Sequence, residues 1–169
     1  MTLDDLTVNF KHLNREEVLE DWEWLIGKQK LPILLAAAGD AFLQDAEDGT
    51  IHMLDVAAGK SGAVAASASE FQTLLSDREF VSEYLSVQVV GDLRMKGLIL
   101  KPGQIYSFVK PPLLGGQYSL DNIEASDIEV HFSINGQIAR QVSALPPGTP
   151  INNINIAEKS KAKPRWKFW

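Results

Sequence analysis

Four aspartates, Asp40, Asp45, Asp48 and Asp55, come nearest in type and spacing to residues that do chemistry. Paired carboxylates can share a proton for acid–base work or converge on a hard cation. These four have no calcium-loop spacing, and they surround Asp48-Gly49, so turn capping and a solvated rim account for them. The histidines, His12, His52 and His131, are scattered and form no H-E-x-x-H or other paired ligand motif. His131 stands near Glu129 and fits a helix-cap or core role. Ser61 lacks a G-x-S-x-G setting, and Gly59-Lys60-Ser61 lacks the rest of a phosphate loop. Gly115-Gly116 lacks the lysine and hydroxyl residue that would complete a phosphate cradle. With no cysteine there is no thiolate catalysis, disulfide or sulfur-ligated zinc. The residue types thus name no catalytic, metal or cofactor site, and a hydrolase or metal-binding enzyme is the minor reading.

What the chain does carry is a specified backbone path. Gly103 opens a strand, Gln104 to Val109, with Ile105 on one face and Tyr106 and Phe108 on the other. Pro111-Pro112 cannot donate to a ladder and ends or edges it. Leu114-Gly115-Gly116 then permits a turn or close approach barred to bulkier residues, and Tyr118 and Asp121-Asn122 follow. A built surface without chemistry points to binding.

The elements that position these residues read as follows. Asn14 with Glu17 forms a capping box, Leu13 with Val18 a staple, and Val18, Trp22, Leu25 and Ile26 a helical stripe stopped by Gly27. Trp24 falls off that stripe, as an exposed anchor or filling a wider contact. Residues 3–10 lead in as a loop or short strand. The apolar run from Leu31 to Ala38 reads as a strand broken by Gly39-Asp40. Two strands then flank Glu47-Asp48-Gly49 as a hairpin. Gly59 and Gly62 bracket another turn before a strand at Ala63 to Ala66. Ser67 with Glu70 caps a helix faced by Phe71, Leu74 and Leu75, and further helix runs from Asp77 to Gly97. Residues 127–142 read either as a helix capped by Ser126 with Glu129, with Ile134, Ile138 and Val142 inward, or as an alternating strand turning at Asn135-Gly136. The helix is preferred. The plan is α+β: one compact domain with a mainly antiparallel sheet flanked by helices.

Bulk properties agree with a single domain. The chain has 169 residues, 45% hydrophobic and 22% charged, and no apolar run long enough for a bilayer span. Stable membrane insertion is therefore not expected. An acidic start and the absence of cysteine favour the cytoplasm. The net charge of −6 hides an asymmetry, since after Pro150 five cations oppose one glutamate. The tail thus stands at +4 and the body at −10, which repels nucleic acid and favours a basic partner. The tail, ending Arg165-Trp166-Lys167-Phe168-Trp169, suits a membrane surface, a partner, the chain's own acidic body, or disorder.

The ordered series Gly39-Asp40, Asp48-Gly49, Leu54-Asp55, Gly59, Glu70-Phe71, Gly103 to Tyr106, Leu114 to Tyr118, Asn122, and His131 through Gly136-Gln137 resembles the C-terminal domain family of the type VI secretion immunity protein Tdi1. The resemblance spans about residues 31–149. It implies an α+β domain in the style of the SMI1/KNR4-like immunity folds, with Gly103, Phe108, Pro111, Leu114, Gly115, Gly116, Asn122 and His131 as its signature. In its named member this domain follows a GAD-like module and neutralises a secreted DNase toxin. Here residues 1–30 are too few for that module. They form an extension with a capped helix, ahead of the α+β domain at 31–150 and the basic aromatic tail at 151–169.

An immunity role needs a scaffold and a complementary surface, with an acidic field to steer a cationic toxin. Asp40, Asp45, Asp48 and Asp55, with Trp24, Tyr106 and Tyr118 as aromatic anchors if exposed, are the candidate contacts. Core packing is the competing role for Tyr106 and Phe108. The other function class is a general protein-interaction or regulatory domain without a toxin. Oligomeric state is not legible.

Overall fold

In the computed structural model, residues 1–158 are described. A five-stranded antiparallel meander is built from β1 (Thr7–Val8), β2 (Lys30–Ala36), β3 (Ala41–Asp45), β4 (Ile51–Asp55) and β5 (Lys60–Ala65), paired in that order. A second, two-stranded antiparallel sheet joins β6 (Gln104–Phe108) to β7 (Ile123–Asp127). Six helices surround them: α1 (Leu3–Leu6), α2 (Glu23–Ile26), α3 (Ala68–Leu74), α4 (Arg78–Tyr84), α5 (Val87–Met95) and α6 (Ile128–Ser143). The α+β plan with antiparallel sheets flanked by helices is the observed one.

Both faces of the large sheet are buried because alternate strand residues serve different cores. Leu35, Leu43 and Leu54 join Trp22, Ile105 and Phe132 on the α6 side. Ala36, Phe42 and Ile51 join Phe71, Phe80, Leu85 and Leu93 beneath α3 to α5. Strand β6 divides in the same way, with Ile105 in the first core and Tyr106 in the second.

The Asp48-Gly49 hairpin forms as its residues dictate, with Gly49 at a positive φ of 76° and Asp48 Oδ1 accepting the Thr50 N–H at 2.8 Å. Ser67 caps α3 by accepting from the Glu70 N–H, while the Glu70 carboxylate takes the Ala66 N–H, one residue short of a reciprocal box. Helices α4 and α5 fill the expected helical stretch.

Several local expectations are corrected. The segment after Asn14 is not one capped helix: residues 15–19 are turns, a 3-10 helix covers Glu20–Trp22, and α2 is four residues long. Asn14 Oδ1 accepts from Glu16, so it closes an Asx turn and makes no capping box. Tertiary contact sets this tightening. Trp22 is fully buried and its indole N–H donates to the Phe132 carbonyl at 2.9 Å, drawing the 3-10 turn onto α6. Leu19 is buried with it, while Leu25 is only half-buried. Residues 3–8 form the short helix α1, which was not expected, followed by edge strand β1, so the short-strand reading holds at Thr7–Val8. Gly62 lies inside β5 opposite Met53 and does not bracket a turn.

At residues 123–143 the strand and helix readings each hold for a part. Residues 123–127 are β7, Ser126 within it, and Asp127 is the N-cap of α6, its Oδ1 accepting from Glu129 and Val130. The inward face is Ile128, His131, Phe132, Ile138 and Ala139, and Ile134 points outward, 36% exposed. Asn135-Gly136 lies within the helix, where Gly136 lets the Asp21 backbone approach so closely that a Cβ would stand 2.7 Å from its carbonyl oxygen.

Candidate functional site

The hairpin separates the four aspartates into two pairs. Asp45 and Asp48 sit at its tip, and Asp40 and Asp55 at its base, because Ala41 pairs with Leu54 one step inside. Five strand residues put the pairs about 15 Å apart. At the tip both carboxylates are turn-makers: Asp45 accepts from the Glu47 N–H at 2.8 Å and pairs with Lys30 at 3.4 Å. Those bonds, the backbone ones first, hold Asp45 and Asp48 below the usual carboxylate range.

The base pair opens onto a recess of about 440 Å³ between the hairpin, α5 and the 108–120 loop. Asp40 Oδ1 accepts the Val56 N–H at 2.9 Å, and Asp55 Oδ1 accepts the Ala58 N–H at 2.9 Å. Burial, with Asp55 adding repulsion, pushes Asp40 up to about 7, far above the usual carboxylate range. Tyr118 stands at the mouth, 72% exposed, its ring set edge-on against Phe108 at 5.4 Å. Partial burial and the two aspartates raise its phenol. Ser86, the one non-glycine residue with positive φ among the described residues (51°), lines the same recess, so local backbone strain is stored beside it.

The loop carrying Tyr118 is fixed from below. Asn122 clamps it three ways: Oδ1 accepts the Lys110 N–H at 3.0 Å, and Nδ2 donates to the carbonyls of Lys110 at 2.8 Å and Gln117 at 2.9 Å. The Pro111 carbonyl accepts from Leu114 and Gly116, and Gly115 takes φ 85°. A Cβ on Gly116 would collide with the Lys110 carbonyl. Pro111, Leu114, Gly115, Gly116 and Asn122 thus shape this loop. Gly103 turns the chain into β6 at φ 82° and accepts the Ile128 N–H, tying β6 to the start of α6.

In the wall of the recess lies a contact that no sequence spacing showed. His131 is buried, with Nε2 at 2.7 Å from the Gly39 carbonyl and Nδ1 at 2.7 Å from Ser107 Oγ. A carbonyl only accepts, so Nε2 carries the proton and Nδ1 accepts from the serine hydroxyl. Burial, against the Gly39 bond, pulls the imidazole down to about 4, leaving it neutral at pH 7 and a weak base. The serine is itself buried and no carboxylate orients the ring, so this pair clamps β6 and the 37–40 turn to α6. Gly39, at φ 111°, lies against the ring where a Cβ would stand 3.1 Å from Cε1. His131 in the signature is thereby a structural residue.

The remaining aromatic candidates divide. Tyr106 is 2% exposed and its hydroxyl donates to the Leu98 carbonyl at 2.6 Å, which makes it core. Trp24 is half-buried, stacked on Trp22 at 6.2 Å, and lines a separate groove with Gln137, Arg140 and Gln141 of α6. The structure therefore brings together Asp40, Asp55 and Tyr118, with the buried Tyr106 in the recess wall, and places Asp45, Asp48 and Trp24 elsewhere. Sequence reading missed Ser107 and Asn135 in the recess lining. Among the described residues no group of histidines and carboxylates is placed to hold a metal, and no helix is long and apolar enough to cross a membrane. The aromatic cationic tail, whose role the sequence left open, lies outside the described residues from 159 onward.

A family model described as the T6SS immunity protein Tdi1, C-terminal, matches residues 65–139, the span that holds β6, the Tyr118 loop and His131. The chain resembles that domain, and the resemblance to an immunity family speaks for a non-catalytic protein. Among solved structures the chain is similar to the crystal structure of Atu4351 from Agrobacterium tumefaciens, with TM-score 0.54 and 17% identity over 74% of this chain and 65% of that one. At that identity the likeness shows the fold. The chain spans about two thirds of the length of that structure. None of the curated proteins matches.

Proposed function

We propose that this chain is an immunity-type protein that neutralises a secreted bacterial toxin by binding it in the cytoplasm, without catalysis, and that the recess of Asp40, Asp55 and Tyr118 is the centre of contact. The observation that carries the reading is the match of the immunity-family model to residues 65–139. The recess supports it with hot-spot chemistry: a rigid exposed aromatic beside recessed carboxylates that suit a lysine or arginine of a cationic toxin, a nuclease among the candidates. The acidic body adds a steering field.

The test is co-expression with toxin genes neighbouring this one, together with a pull-down from the native host. Protection and recovery of a cationic toxin are expected. Tyr118→Ala and Asp55→Asn are expected to weaken the complex at least tenfold without unfolding the chain. Recovery of only non-toxin partners, with no protection, would replace this reading with that of a general interaction domain.

A further inference from the structure

Asp40 and Asp55 stand two residues from Phe42 and Met53, which pair across the hairpin. Alternate residues of a strand share a face, and opposite residues of an antiparallel pair have Cβ atoms about 5 Å apart. The two carboxylates therefore project side by side into one recess. Each is anchored by one oxygen, Asp40 through the Val56 N–H and Asp55 through the Ala58 N–H. The second oxygen of each has no hydrogen-bond or ion-pair partner among the described residues.

Glu83 of α4 adds a third carboxylate to the lining, also without a partner among the described residues. No lysine or arginine stands among the described residues that line the recess, and both ring nitrogens of the neutral His131 are engaged. These acids repel one another with no counter-charge beside them. A cation arriving from outside gains their attraction and relieves that repulsion. The field reaches the mouth, where Asp55 and then Asp40 add to partial burial in raising the Tyr118 phenol.

The walls select which cation. A recess of about 440 Å³ admits a long side chain and excludes a folded element. Met53 and Val89 line it with apolar surface for a methylene stem. Tyr118, on the loop that Asn122 clamps, offers an open aromatic ring at the mouth. Two anchored carboxylates and a ring suit a planar fork that donates in its plane and stacks on its face. An ammonium is a compact point charge and gives up more hydration on entering. The geometry points to a single arginine side chain of the partner as the group that fills this recess, its guanidinium bridging Asp40 and Asp55 against Tyr118. This inference rests on the recess being the contact centre proposed above, and it narrows the entering group to arginine.

The probe is N-acetyl-arginine amide, titrated against the full chain while NMR follows the backbone amides. Saturable shifts are expected at Asp55, Ser86 and Tyr118. N-acetyl-lysine amide is expected to bind about tenfold more weakly, and N-acetyl-citrulline amide, of similar shape but uncharged, to give no saturable shift. Asp55→Asn, which keeps the acceptor for Ala58, and Tyr118→Ala are each expected to weaken the arginine probe severalfold. Asp48→Asn removes the same charge at the far end of the hairpin, keeps the turn acceptor, and is expected to leave binding unchanged. The inference fails if the arginine probe gives no saturable shift at the recess, or if the lysine probe binds as tightly. It fails equally if Asp48→Asn weakens binding as much as Asp55→Asn, which would make the attraction a diffuse field. A chain that neutralises a toxin yet takes no arginine probe keeps its proposed function and loses this inference. One that takes the probe with this selectivity and meets no toxin keeps the inference and loses the function.

Discussion

Two buried groups with opposite pH signatures sit within one recess. His131, with its folded value near 4 below the ordinary 6.5, contributes stability that is complete above pH 6.5 and lost as pH falls towards 4. Asp40, raised to about 7 from 3.8, works the other way: the folded state binds more protons than the unfolded, so stability falls as pH rises from about 4 to 7. The contributions oppose each other between pH 4 and 6.5, which predicts a shallow profile there. Asp40→Asn keeps the acceptor for Val56 and removes the titration. Urea unfolding of that variant is expected to show a stability that drops steeply from pH 6.5 to 4.5. A profile parallel to wild type would show that the two groups do not compensate. None of this pairing was legible in the sequence. His131 meets Ser107 from 24 residues away and Gly39 from 92, and only the assembled fold brings them together.

Among the elements, α6 and the Tyr118 loop carry the clearest tests. Asp127→Ala removes the acceptor for two amides at the start of α6 and is expected to cost about 1 kcal/mol in thermal or chemical melts, while Ser126→Ala is nearly neutral. The reverse ranking would return the cap to Ser126. In the loop, Asn122→Ala frees three hydrogen bonds and is expected to cost about 1–3 kcal/mol, with faster amide exchange at Lys110. Gly116→Ala should cost at least as much, because its Cβ would run into the Lys110 carbonyl that Asn122 holds. Elements whose signals are local were legible: the Asp48-Gly49 hairpin, the Ser67 cap and the Pro111 to Gly116 corner. The segment from Asn14 to Ile26 was not, because burying Trp22 against Phe132 overrides the helical spacing. The α6 cap was displaced by one residue because Ser126 and Asp127 both suit the position and the pairing of β7 decides between them.

For the molecule as a whole, the proposed function gives the acidic body the task of steering a basic partner. Association with a cationic toxin is expected to slow severalfold between about 50 and 300 mM salt while dissociation changes little, as stopped-flow mixing would show. A rate indifferent to salt would remove the steering role. The proton that Asp40 carries has a further consequence for that encounter. A lysine or arginine entering the recess favours the bare carboxylate, so complex formation near pH 7 is expected to release protons from Asp40. The heat of binding then depends on which buffer takes up that proton, larger or smaller with its ionisation enthalpy, although the contacts are identical. Titration calorimetry in phosphate and in Tris would read the occupancy of one buried oxygen from outside the protein.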